Sequence, residues 1–153
     1  LPIVLLEMEK TGNSFLGAID MTGLVMVAAG ITFANIIFPR EKSDRAIAAP
    51  GFLINVLFGT FVEAAYPFMF SDKIVMIGAM FSGALSGLVV GAYNLRGTAY
   101  VPSLVAPMMS NNVFGFILSM LVAFSSAFLM TIFANKLAIK KKKKEKLILE
   151  GEI

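Results

Sequence analysis

Long apolar runs alternate with short polar punctuation along this chain, and three of the runs reach the length of a membrane crossing. The first extends from about Phe15 to Phe38 with a single charge, Asp20. The second, Ile74 to Tyr93, carries none, and the third, Val113 to Phe133, lies inside a charge-free block from Gly97 to Asn135. A hydrocarbon core of ~30 Å takes about 20 helical residues, so each run predicts one transmembrane helix. A fourth apolar stretch, Ala46 to Phe70, is interrupted by Pro50, Gly51, Gly59, Glu63 and Pro67. The expected fold class is all-α: a polytopic membrane protein with about three transmembrane helices plus one re-entrant hairpin.

The hairpin follows from parity. Residues 136–153 hold seven Lys against three Glu, a net charge of +4, whereas residues 1–135 carry a net of −1. A Lys block beside an apolar helix prefers the cytoplasm and touches anionic lipid. The expected division is therefore a membrane domain over 1–135 and a basic cytoplasmic tail or linker over 136–153. With the tail inside, the third span begins outside, Asn94–Asn112 is external, and the second span begins inside near Ser71–Asp72–Lys73. Pro39–Arg45, with Arg40, Lys42 and Arg45, also prefers the inside, although Glu41 and Asp44 dilute that signal. Both ends of Ala46–Phe70 then share one side, so the segment is expected to dip in and return. Irregular backbone at membrane depth survives only in contact with protein or a watery cavity.

Composition agrees. Of the 153 residues 58% are hydrophobic and 15% charged, with a mean hydropathy of +0.82, where a soluble domain carries about a quarter charged residues. The absence of His and Cys excludes a zinc site, a haem, a thiol nucleophile and a Ser-His-Asp triad within this sequence. No aromatics interleave with the tail lysines, which argues against a nucleic-acid surface. Leu1 is not an initiator Met, so the chain is expected to be a piece of a longer protein. In the second span Gly83, Gly87 and Gly91 fall four apart, a face that lets another helix approach closely. Tyr100–Met109 is too apolar for a solvated loop and is expected to pack back onto the protein or lie at the interface.

Glu63 is the leading candidate for chemistry. A carboxylate near the middle of an apolar segment costs roughly 2.5–3.5 kcal/mol on insertion scales, so it normally faces a cavity, pairs, or stays protonated. Its oxygens suit sugar hydroxyls, and its ionisation suits a coupled proton or cation. Asp20 reads as a first-turn acid near a helix N-terminus. Asn35 and Asn55 either line a path or bond between helices. Arg96 suits an anion at the outer mouth or a snorkelling position at the interface.

The run Gly59-Thr60-Phe61-Val62-Glu63-Ala64-Ala65-Tyr66-Pro67-Phe68, with Asp72 and the small-residue span Gly78 to Gly91, resembles the membrane-embedded IIC component of phosphotransferase-system sugar permeases. Glu-x-Ala-x-Pro-Phe and the later Asp resemble the fructose branch. Arg96-Gly97-Thr98-Ala99-Tyr100 with Pro102 and Pro107 is more similar to the glucose, sucrose and β-glucoside branch, as are the N-terminal run and the basic loop before Ala46. Three features depart from that pattern: Ala64 stands where the glucose-type branch has Pro, the Gly-to-Glu spacing is one residue longer, and the histidine of an earlier hairpin is missing. The resemblance covers the C-terminal portion of such a domain.

It implies that the protein binds a sugar at mid-membrane and presents it inward for phosphorylation by a IIB partner, itself served by a IIA component. Glu63 would accept hydrogen bonds from the sugar, with Asn55, Thr60 and Tyr66 beside it and Asp20 and Arg96 as secondary positions. It further implies a bacterial cell membrane, a homodimer of the complete protein, no cofactor or metal, and no phosphoryl-carrying residue in this chain. Two other readings fit the residues: part of an ion-coupled carrier with a proton or cation at Glu63, and a small non-transporting subunit docked by its glycine face.

Overall fold

The computed structural model describes residues 2–151, so Leu1 and the last two residues, Glu152 of the basic tail among them, lie outside it. Among the described residues there is no strand; helices α1 (Pro2–Thr11), α2 (Phe15–Ile19), α3 (Met26–Ile37), α4 (Lys42–Phe58), α5 (Tyr66–Ser71), α6 (Lys73–Ala92) and α7 (Val113–Gly151) carry the fold. Three continuous rods are long and apolar enough to cross a membrane: Phe15–Ile37, Lys73–Ala92 and Val113–Leu149. This is an all-α integral membrane architecture with three spans.

Local chemistry sets the helix ends. Ser14 is extended and accepts the Gly17 N–H at 2.8 Å, which satisfies one of the free donors of the first span. The same span contains a π-helical turn, Asp20–Val25, closed by the Met26 N–H on the Met21 carbonyl. Asp20 therefore sits in a widened turn within the rod, beyond the first turn expected for it; such turns loosen the backbone ladder locally. Glu41 and Asp44 cap α4 reciprocally, and Asp72 caps α6 by accepting the Ile74 N–H at 2.7 Å. The α7 rod begins under Asn112, which accepts from Gly115, and it does not stop at Phe133. The Lys-rich segment continues it as helix. Lys, Leu and Glu are good helix formers, so nothing local ends the rod.

Small residues let the rods approach. A Cβ on Gly30 would strike the Phe124 carbonyl of α7, and one on Gly78 would strike Met130. Ala28, Ala29, Ala123, Ala127 and Ala134 fill the buried seam. Phe33 then fills the gap between α3, α4 and α7, with ring centroids 5.2 Å from Phe52 and 5.7 Å from both Phe124 and Phe128. Buried polar groups add a cross-tie: the Ser86 hydroxyl lies 3.0 Å from that of Thr22 and 2.9 Å from that of Ser119, joining all three spans. Outward positions are apolar, Ile77, Met80, Leu88, Leu121 and Leu129 among them. That inverts the surface of a soluble domain and matches a lipid solvent.

The two ends of the bundle differ. At one, the loop end, Ser14 and Gly97 exchange backbone bonds of 2.9 and 3.0 Å, and residues 94–112 fold back so that Leu95, Ser103, Ala106 and Pro107 are buried. This is the packing expected of that apolar connection. At the other, the tail end, residues 38–42, Asp72 and Asn135 come together and the basic part of α7 leaves the bundle.

Candidate functional site

The segment between Arg40 and Asp72 is a helical hairpin. Its outgoing arm is α4. A glycine in the left-handed region, Gly59 at φ 61°, ends that arm, and Phe61 at φ 64° completes the turn. The return arm is a 3₁₀ turn, Val62–Ala65, followed by α5, whose Pro67 sits in the first turn, where a missing N–H costs least. Both arms end at the tail end of the bundle, because Arg40 spans them: one guanidinium nitrogen lies 2.5 Å from Asp72 Oδ2. The tip reaches the folded-back connection, where the Ser103 N–H donates to the Val56 carbonyl at 2.9 Å and Gly59 packs on the Val101 carbonyl.

The Arg40–Asp72 pair belongs to a network. Arg40 Nε donates to Asn135 Oδ1 at 2.7 Å, and Asn135 Nδ2 donates to Asn35 Oδ1 at 2.9 Å and to the Phe38 carbonyl at 2.8 Å. Asn35 closes it by donating to the Ile31 carbonyl of its own helix. The network ties the first span, both hairpin ends and α7 at one level. Partial burial opposes the charge on Asp72, but the N–H groups of Ile74 and Val75 and the Arg40 guanidinium outweigh it and hold the carboxyl below its ordinary value. Glu41, exposed, is held below its ordinary value by Lys142 of the tail, whose ammonium lies 2.8 Å away.

Of the residues singled out from the sequence, Asn55, Thr60, Glu63 and Tyr66 all lie on this hairpin. Asn55 is fully buried on α4, and neither its Nδ2 nor its Oδ1 has a partner. Thr60 is half-buried at the tip. Glu63 is exposed on the return arm, and its carboxylate takes no hydrogen bond or ion pair among the described residues. Tyr66 is half-exposed against Phe70, ring centroids 5.6 Å apart, and lines an apolar cleft of about 440 Å³ with Gly23, Leu24 and Val62. Asp20 is half-buried in the π-helical turn. Arg96 is taken by Glu7 at 2.7 Å at the loop end, and its N–H by Asn111.

The fold brings together Arg40, Asp72, Asn35 and Asn135; Asn35 bonds between helices, one of the two roles expected of it, whereas Arg40 and Asn135 were missed as site residues. Asn35, Arg40 and Asn135 line a cavity of about 250 Å³ at the tail end, walled by both hairpin arms. Arg40 was read only as a topology charge and Asn135 only as the end of a charge-free block. Their pairing across 95 residues leaves no local pattern. Of the glycine face only Gly83 is used among the described residues, nearing the Gly23 carbonyl, while Gly87 and Gly91 meet nothing within 4 Å. Among the described residues no cluster of acids fit for a metal ion is found.

Comparison with protein families, with curated proteins and with solved structures finds no match for this chain.

Proposed function

We propose that this chain is part of a membrane carrier for a small polyhydroxylated solute, and that the resemblance to sugar-translocating IIC components describes its chemistry. The observation that supports this most is the Glu63 carboxylate, unpartnered on the return arm of a hairpin among apolar helices. A carboxylate placed against acyl chains is costly, so its exposed face requires water, a solute or another polar surface. In this reading the hairpin re-enters the membrane from the cytoplasmic side, the side of the basic tail, and never crosses it.

The residues then divide the work. Glu63 accepts hydrogen bonds from two solute hydroxyls, and Thr60 at the tip adds a donor and an acceptor. Tyr66 offers a ring face to the C–H surface of the solute. Asn55, buried without partners, supplies two more hydrogen-bonding atoms once the tip shifts enough to admit the solute or water. A site of this kind rejects apolar mimics strongly, because they leave its polar atoms unpaired. Phosphorylation of the carried sugar belongs to IIB and IIA partners at the cytoplasmic face, since this chain has no His or Cys to carry a phosphoryl group. The membrane is that of a bacterial cell, and the complete protein is a homodimer.

Glu63→Gln tests the reading. A hydrogen bond to a charged group contributes ~1.5–3 kcal/mol, so sugar affinity should fall about ten- to a hundredfold while membrane insertion is unchanged. Unchanged affinity would refute the role. Loss of uptake on adding a protonophore, with no phosphorylated product, would favour an ion-coupled carrier instead.

A further inference from the structure

The two hairpin arms meet where Gly51 leaves no room for a Cβ beside that of Ala64. One turn from that contact toward the tail end, Ile47 on α4 and Phe68 on α5 wall the 250 Å³ cavity. The arms close above it and open below it, like a wedge. Asn35, Asn135, Arg40 and Ser71 give this wedge its polar side.

Most of its charges are paired. Arg40 is held by Asp72 and Glu41 by Lys142, while Asp44 accepts the Glu41 N–H in the α4 cap. An anion entering would break the Arg40–Asp72 pair to be bound. What remains is the exposed Ser71 hydroxyl, which donates to the Phe68 carbonyl and keeps its lone pairs for a solute, beside an apolar wall of Ile47, Pro67 and Phe68, a pairing that a sugar ring, hydroxyls at its edge and C–H on its face, complements. At ~30 Å³ per water the space equals about eight waters, near the size of one hexose and short of a disaccharide. Pro67 and Ser71 of α5 both line it, and Glu63 lies in the 3₁₀ turn that leads into α5 on the same arm.

We infer that the wedge is a second, tail-end subsite for a neutral polyol of monosaccharide size, occupied after the solute leaves Glu63. The solute class and the direction of travel rest on the carrier reading; the site itself rests on the cavity.

This sequence contains no cysteine, so Ser71→Cys places its one thiol on the cavity wall and Ser43→Cys places a control on the exposed first turn of α4, any cysteine elsewhere in the complete protein being replaced by Ser. Each variant, in the full-length protein in inside-out vesicles, is labelled with a maleimide in the presence of glucose, fructose or mannitol, and uptake of the same solutes is measured in parallel. A transported solute at about ten times its Kd should slow labelling of Ser71→Cys about tenfold, as occupancy dictates, and leave Ser43→Cys unchanged. Ile47→Cys, on the opposite wall, gives the same readout should Ser71→Cys fail to insert. Uptake without protection at either wall position overturns the subsite and leaves the carrier reading standing. Neither uptake nor protection with any of the three overturns both.

Discussion

Asn35 and Asn135, a hundred residues apart, are each 1% exposed and share one hydrogen bond of 2.9 Å between their side chains. That bond fixes the end of the first span against α7 at the level where the hairpin begins. Asn135 then passes the constraint on, accepting from Arg40 while donating to Phe38. Every buried polar atom there has a partner, which is the condition under which a polar network rigidifies a core.

Replacing Asn135 by Leu should therefore do more than remove one bond. It strands Asn35 Oδ1, the Phe38 carbonyl and Arg40 Nε together. An unsatisfied buried group costs ~1–3 kcal/mol, and the expected loss lies toward the upper part of that range. Unfolding of the purified variant in mild detergent, in a double-mutant cycle with Asn35→Leu, measures it. A coupling near zero would mean that the two amides act independently.

The Arg40–Asp72 pair predicts an acid limit to stability. The folded carboxyl titrates below its ordinary value of 3.8, because the Ile74 N–H and Arg40 outweigh its partial burial. The stabilisation it contributes is present in full above the unfolded value and is lost as pH falls through the lower, folded one. A melting temperature followed from neutral pH down to about pH 3 should drop at the acid end in the wild type. Asp72→Asn should start lower and lose less over the same interval. Equal acid slopes for the two proteins would remove Asp72 from the account.

Gly59 makes a sharper demand on the backbone. It is left-handed at φ 61°, and a side chain there would also run into the Val101 carbonyl. Gly59→Ala should cost more than the ~1 kcal/mol of a left-handed alanine alone, since the tip must also move off the connection. Gly87→Ala, with open space around it, is the matched control and should change stability little. Thermal melting of both variants separates the two effects, and similar losses would contradict the tip contact.

The spans were legible because their signal is additive: twenty apolar residues without charge have one physical solution. Glu63 stood out for the same reason, as an exception inside such a run. The tail-end network was not legible. Asn35 shows as a polar exception in an apolar run, but Arg40, Asp72 and Asn135 are each ordinary in their local context, and the network arises only when four separate segments end at one level. The π-helical turn at Asp20 escaped as well, since nothing in the composition of Asp20–Val25 sets it apart from α-helix. The continuation of α7 to Gly151 was hidden behind its lysines, which mark topology clearly and say little about where a helix stops.

An unbroken α7 of 39 residues is about 58 Å long at 1.5 Å per residue, roughly twice the thickness of a hydrocarbon core. Its far half is thus a handle rigidly joined to the near half. The rod grips the start of the hairpin at two heights, through Asn135 on Arg40 and through Lys142 on Glu41. Whatever leans on the basic half is therefore felt, through Asn135 and Lys142, at the start of the element that bears Glu63.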